Sequence, residues 1–299
     1  MPLAVFPKCF LKAMLVDRTM SLDDWIALVR SDLDVDGLEF HPGFMPSGRD
    51  DRVRLRLALE AQGLRLPMMC HAPDFIHRDA ARRKAEIAEQ IRVIEATADL
   101  GGQFCRVLSG QWKADVPRND GLAMAAEAIA ACLPAAARAG VCLILENHYK
   151  ATLWEYPEFA QRREDFLELL ARIPAGPNFG VNFDPSNAVI AGDDPIALLE
   201  EIKGRVVTMH ASDRYFDGGT VEDLRKLDRD PRQGYAPFLR HGVIGRGCID
   251  YDRIFSILRQ RGFAGWISIE DGEDPVVGME HLRESARFLR TKMAEYGLP

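Results

Sequence analysis

Cys142-Leu-Ile-Leu-Glu-Asn-His-Tyr149 is an apolar run that passes directly into a carboxylate, an amide and an imidazole. A strand that is apolar on both faces belongs to a parallel sheet covered on both sides. The C-terminal ends of such strands are where these sheets place their chemistry. Working outward, apolar runs alternate with helical patterns about eight times along the 299 residues. Strands are expected at residues 9–15, 37–41, 66–73, 104–108, 142–146, 179–185, 206–213 and 266–270. The intervening helices carry their own punctuation. Ser21 with Asp24 three residues on reads as an N-terminal cap, and Gly63 and Gly140 read as C-terminal stops. Asp193 or Asp194 caps a helix over 195–202.

Residues 214–249 break this rhythm. They are rich in charge, glycine and aromatic side chains and are too long for an ordinary connection, with Leu224, Leu227 and Phe238 suggesting a small helical insert. Eight strand-then-helix units therefore predict one (β/α)8 TIM barrel domain over 1–299, with an inserted loop after strand seven lying over the barrel mouth. A doubly wound dinucleotide fold is disfavoured, because no G-x-G-x-x-G follows the first strand.

Composition narrows the function. A net charge of −7 and a pI near 5.6 lack the basic footprint of a nucleic-acid binder. None of the six cysteines forms a C-x-x-C pair, which fits small buried hydrophobes in a reducing compartment. Lys8, Lys12 and Asp17 interrupt the apolar N-terminus, so neither a signal-peptide core nor a bilayer-spanning stretch is expected. The reading is a cytoplasmic protein without membrane or nucleic-acid partners.

Polar residues recur where strands end. His41 follows strand two, His71 ends strand three, and Glu146 and His148 end strand five. Asp184, His210 and Glu270 end strands six, seven and eight. In a barrel those ends converge on one mouth. Glu146, Asp184, His210 and Glu270 then form an arc of carboxylates with one imidazole, suited to a hard or borderline divalent ion. Without a cation the carboxylates would repel one another and take up protons. Mn²⁺ is the first choice, with Mg²⁺, Co²⁺ and Zn²⁺ as alternatives. His148 lies two residues beyond Glu146, on the same side of an extended chain, and is a candidate base or a hydrogen-bond partner of a neighbouring loop. His71 is expected to contact substrate or support a ligand.

Together, Leu145-Glu-Asn-His148, Asn182-Phe-Asp-Pro-Ser-Asn187, Thr208-Met-His-Ala-Ser-Asp213, Gly245-Arg-Gly247 and Gly265-Trp-Ile-Ser-Ile-Glu270 resemble the xylose-isomerase-like barrels. That superfamily includes sugar-phosphate isomerases and epimerases and ketose 3-epimerases. The resemblance implies one divalent ion, often Mn²⁺, on Glu146, Asp184, His210 and Glu270, with Glu146 and Glu270 moving protons on opposite faces of an enediolate. Asn187 stands where the epimerases carry a histidine, and Arg214 follows His210 sooner than their substrate arginine does. Asn187, Asp213 and Arg214 are the expected substrate contacts. The Glu-Asn-His-Tyr-Lys stretch and the following Trp154-Glu-Tyr-Pro-Glu-Phe159 also look like the catalytic subunits that cleave C-glycosides of 3-keto sugars. There the histidine matching His148 acts as base in a β-elimination, and a small second subunit is present. The expected activity is a metal-dependent carbohydrate isomerase or epimerase, with that lyase as the alternative. The expected partners are a small carbohydrate and further copies of the chain, or a small second subunit.

Overall fold

Short apolar strands alternate with amphipathic helices, and the strands close into a ring. The computed structural model describes residues 1–151, 154–227, 236–272 and 274–298. The ring consists of β1 (Leu3–Val5), β2 (Gly37–Leu38), β3 (Met68–Met69), β4 (Phe104–Val107), β5 (Cys142–Glu146), β6 (Phe179–Phe183), β7 (Val206–Ala211) and, after two further strands, β10 (Trp266–Ile269). Each strand is parallel to its neighbours, and β10 pairs with β1 through Leu3 opposite Ile267. Between β2 and β3 the ring is joined by single bridges, Gly37 with Arg65 and Phe40 with Met69. There the Cys70 amide donates to the Phe40 carbonyl at 2.7 Å.

The helices are α1 (Leu22–Asp32), α2 (Arg49–Glu60), α3 (Ala80–Asp99), α4 (Arg118–Ala139), α5 (Arg163–Arg172), α6 (Pro185–Ile190), α7 (Pro195–Ile202), α8 (Val221–Arg225), α9 (Tyr251–Arg261) and α10 (Gly278–Glu295). Their ends follow the expected chemistry. Ser21 and Asp24 form a reciprocal capping box on α1, and Asp194 accepts from the first amides of α7. Gly140 ends α4 with φ +67°, a left-handed conformation that costs glycine little.

The first strand is not at residues 9–15. Leu3-Ala-Val5, buried on all three residues, takes that place, while Lys8–Val16 forms short 3-10 and π turns. In that stretch Cys9, Phe10 and Met14 are buried among exposed or half-buried neighbours, a one-sided pattern rather than strand alternation. One helix also departs from the membrane reading. By length and composition α4 is apolar enough to cross a bilayer. It instead buries Leu122, Ala125, Ile129, Cys132 and Ala136 along one stripe and packs between α3 and α5.

After β7 the chain forms an antiparallel hairpin, β8 (Asp213–Phe216) with β9 (Leu239–Gly242), and α8 lies between them in sequence. Part of the insert, residues 228–235, lies outside the described residues. Arg225 at the end of α8 donates to the Gly192 carbonyl at 3.1 Å and pairs with the Asp193 carboxylate. The insert is thereby fastened to the loop after β6.

Candidate functional site

Charged residues in the middle of buried strands require partners, because an unpaired charge there is costly. The ring contains several, and they meet. Glu146, Asp184, His210 and Glu270, from β5, β6, β7 and β10 or the residues just beyond them, are all buried. Each offers one ligand atom, and these atoms all lie within 4.8 Å of one another. His210 Nδ1 is 2.9 Å from Glu146 Oε1 and 3.4 Å from Glu270 Oε2. Asp184 caps α6 by accepting from the Asn187 amide at 3.0 Å, and also accepts from Ser212 Oγ at 2.8 Å. Asn147 clamps the Asp184 backbone from both sides, donating to its carbonyl at 2.6 Å and accepting from its amide at 2.9 Å.

A surrounding layer orients these four. His210 Nε2 lies 3.0 Å from Glu39 Oε1, on the side of the ring away from Glu146. A carboxylate there draws the imidazole proton to Nε2 and frees Nδ1 as a donor to an ion. Arg106 donates Nη1 to Glu146 Oε2 at 2.8 Å and Nε to the His71 carbonyl at 3.0 Å. Lys8 Nζ lies 3.7 Å from Glu270 Oε1.

The electrostatics expose a deficit. Among the described residues, the carboxylates of Glu39, Glu146, Asp184 and Glu270 meet the permanent cations Arg106 and Lys8. Two negative charges remain, which a divalent cation would neutralise. With protein groups alone, His210 carries part of that role. Burial works against its charged form, but Glu39, Glu146 and Glu270 outweigh it and push the imidazole well above its ordinary value. Burial also opposes ionisation of Glu146, yet His210 and Arg106 hold its carboxyl down at about 2. Asp184 is pushed up to about 6 by burial, then by Glu270 and Glu146. The donor set of three carboxylates and one imidazole fits a divalent metal, and these four residues would hold it.

His148 lies just beyond Glu146 and is 8% exposed. Burial depresses its imidazole to about 4, so it is neutral at physiological pH. Its Nδ1 is sealed from solvent and lies 3.6 Å from Glu158 Oε2. Trp154 packs edge-on against the ring at a centroid distance of 6.4 Å.

The other expected contacts divide. Asn187 reaches the cluster, with Nδ2 3.4 Å from Glu146 Oε1. His71 places its ring Nδ1 2.8 Å from Gln90 Oε1, and its carbonyl accepts from Arg106, which in turn donates to Glu146. Asp213, expected at the substrate, instead organises a loop. Its carboxylate accepts the amides of Arg214, Gly245, Gly247 and Ile249 at 2.8 to 3.1 Å. Those bonds occupy both oxygens and turn the Gly245-Arg-Gly247 segment around them. Arg214 is 2% exposed, and its carbonyl accepts from the Cys248 amide at 2.6 Å.

Glu39, Arg106, Lys8 and Glu158 were not among the expected site residues. Glu39 and Arg106 did carry a signal, a lone charge between apolar neighbours in Leu38-Glu-Phe40 and Cys105-Arg-Val107. Lys8 was hidden by the misplaced first strand. Glu158 sits in a long loop where a carboxylate is unremarkable in sequence.

The family described as the xylose isomerase-like TIM barrel matches residues 28–292. The inosose dehydratase of Clostridium beijerinckii is 30% identical over 115 residues, 37% of this chain and 37% of that enzyme. The chain thus matches this curated relative over little more than a third of its length. The solved structure of the IOLI protein with a bound zinc atom superposes with a TM-score of 0.75 at 16% identity, covering 99% of each chain. D-psicose 3-epimerase from Clostridium cellulolyticum H10, solved with D-tagatose, superposes at 0.70 with 15% identity, covering 100% of this chain and 99% of that one. At such identities these superpositions establish the shared fold. With its family match over most of its length and its closed ring of eight parallel strands, the chain belongs to the xylose isomerase-like TIM barrels.

Proposed function

We propose that this protein is a divalent-metal-dependent enzyme that removes a proton next to the carbonyl of a small carbohydrate or cyclitol ketone, with His148 as the base. The observation that carries the reading is a neutral imidazole just beyond a four-ligand cluster of Glu146, Asp184, His210 and Glu270. A divalent ion in that cluster would polarise a carbonyl and its neighbouring hydroxyl, lowering the cost of the enediolate. Glu39 keeps His210 in the ligating tautomer, and Arg106 and Lys8 hold Glu146 and Glu270 in place. His148 takes the α-proton onto the ring nitrogen that does not face Glu158.

The fate we favour is elimination. The C–H electrons form the new double bond as the β-carbon–oxygen bond breaks. The departing oxygen recovers a proton from the imidazolium and leaves as water. Two features support this order over the isomerase or epimerase expected first from sequence. The inosose dehydratase relative is matched in sequence and not merely in fold. In addition, Glu146 has one oxygen against Arg106 and the other against His210, which leaves it poorly free to move protons. Epimerisation is the second reading, supported by the presence of two glutamates, Glu146 and Glu270, that both reach His210 Nδ1 within the cluster.

The test incubates protein loaded with Mn²⁺ in D₂O with an inosose, D-tagatose and L-ribulose. Metal-dependent deuterium entry next to a carbonyl, with loss of water from the inosose, is the expected result. His148→Ala should reduce it by about 10²- to 10⁴-fold. Deuterium entry into a ketose without loss of water would move the reading to epimerase. No exchange on any probe, with the ion shown to be bound, would sink it.

A further inference from the structure

The loop after β5 returns to the loop after β4 and is stitched to it. Glu158 and Gln111 form an antiparallel bridge, the Phe159 amide donates to the Gly110 carbonyl at 2.8 Å, and the Trp112 amide donates to the Pro157 carbonyl at 2.8 Å. The Glu158 amide donates in turn to the Tyr149 carbonyl at 2.7 Å, one residue past His148. Glu158 is thus carried to the His148 ring by backbone bonds, with Gln111 Oε1 and Ser109 Oγ accepting further amides from residues 155, 156 and 160. Its side chain is 1% exposed, and its two oxygens are treated differently. Oε1 accepts from the Ser109 amide at 2.8 Å and from Ser109 Oγ at 2.9 Å. Oε2 is sealed from solvent, makes no hydrogen bond, and faces the equally sealed and unbonded Nδ1 of His148 across 3.6 Å. Two buried polar atoms left open toward each other are costly unless they bond. Apo geometry of this kind commonly tightens when a site is filled.

We infer that Glu158 is a positioning residue for His148: it receives the Nδ1 proton, fixes the imidazole tautomer, and leaves the opposite nitrogen free toward the metal cluster and substrate. This deepens the proposed function and rests on His148 being its base. Ser109 is the anchor that makes the orientation one-sided, since both of its donors hold Oε1 and leave only Oε2 for the ring. The carboxylate also compensates the positive charge that the imidazole acquires when it takes the substrate proton, as a buried acid does behind a catalytic histidine. Burial pushes the Glu158 carboxyl up to about 8, so the dyad is assembled as a base most fully in alkaline solution.

Glu158→Gln discriminates this from a purely structural role. The amide keeps the size of the side chain and can still accept from Ser109 through its oxygen. Its NH₂ then donates to Nδ1 and forces the ring proton onto the working nitrogen. The experiment uses Zn²⁺-loaded protein labelled with ¹⁵N-histidine at pH 8.5, with His148→Ala assigning the resonance. The expected spectrum has His148 protonated at Nδ1 in the parent protein and at Nε2 in Glu158→Gln. A parent protein carrying the proton on Nε2, or a variant with no tautomer change, overturns the inference whether or not any substrate is turned over. In the D₂O exchange assay, Glu158→Gln should lower kcat by about 10- to 10³-fold with little change in KM, and should add nothing in the His148→Ala background. Additive losses would assign Glu158 to folding alone. A correct tautomer switch with no exchange in the parent protein would instead remove the proposed reaction and leave the dyad.

Discussion

The Glu158 carboxyl is the residue at which stability and chemistry pull in opposite directions. Its pKa rises from an ordinary value of 4.5 to about 8 because burial disfavours the charged form. The folded protein therefore holds a proton through a window in which the unfolded chain has lost it, and stability from this group falls as pH rises from about 4.5 to about 8. Glu158→Gln removes the titration. Its melting temperature should exceed that of the parent protein at pH 8 and match it near pH 4.5, as read by paired thermal melts; an equal difference at both pH values would contradict this. A group that weakens the fold while serving the reaction is expected at a functional site. The same scale explains what could be read from sequence. Glu146, Asp184, His210 and Glu270 stand at strand ends and converge by barrel geometry alone. Arg106 is also buried but sits within β4, and Glu39 follows the two-residue β2; only their charge among apolar neighbours marks them.

Elements with strong periodicity were legible; of the shortest strands, β2 and β3 fall inside the runs expected at 37–41 and 66–73, and β1 does not fall at 9–15. β5, β6, β7 and β10 are four to six residues long and apolar, and they lie where the apolar runs predict. β1, β2 and β3 are two or three residues each. Over so few positions alternation cannot be told from a helical turn, so the longer apolar run at 9–15 stood in for the first strand. The β8–β9 hairpin depended on contacts that no local pattern encodes, chiefly the Asp213 carboxylate gathering amides from residues 214 to 249. Gly247 belongs to that arrangement, since a Cβ there would lie 2.1 Å from Asp213 Oδ1. Asp213→Ala should strand those amides and cost on the order of 2 kcal/mol or more in denaturant unfolding. Limited proteolysis should show cleavage within residues 214–249 while the barrel core persists. An unchanged midpoint and cleavage pattern would assign the loop's order to other contacts.

For the whole molecule, the dominant fact is a surplus of negative charge at the centre of a sealed ring. Arg106 and Lys8 compensate only part of it; a proton on His210 adds to that, and below about pH 6 a proton on Asp184 does so as well when no metal is present. Metal binding must displace those protons, so affinity should fall as pH drops through about 6, the value to which Asp184 is raised. Titration calorimetry of Mn²⁺ binding in buffers of different ionisation enthalpy should record net proton release at pH 6. Chelation should lower the melting temperature, because an ion at 100 times its Kd contributes about 2.7 kcal/mol. Binding without proton release would mean that the four residues are not the ligands.

The single bridges that join β2 to β3 have a further consequence. Every other pair of barrel strands shares a ladder, so this join is the seam at which the ring opens with least loss. Glu39 stands beside that seam on one side and Cys70 on the other, and both lie with His210 in a buried cluster. Whatever grips His210 from the front also tethers Glu39 from behind and so restrains the seam. Loading the ion should therefore slow amide hydrogen exchange at Leu38, Phe40 and Cys70 more than at β5 or β6. In that sense a bound ion would act as a hoop for the barrel.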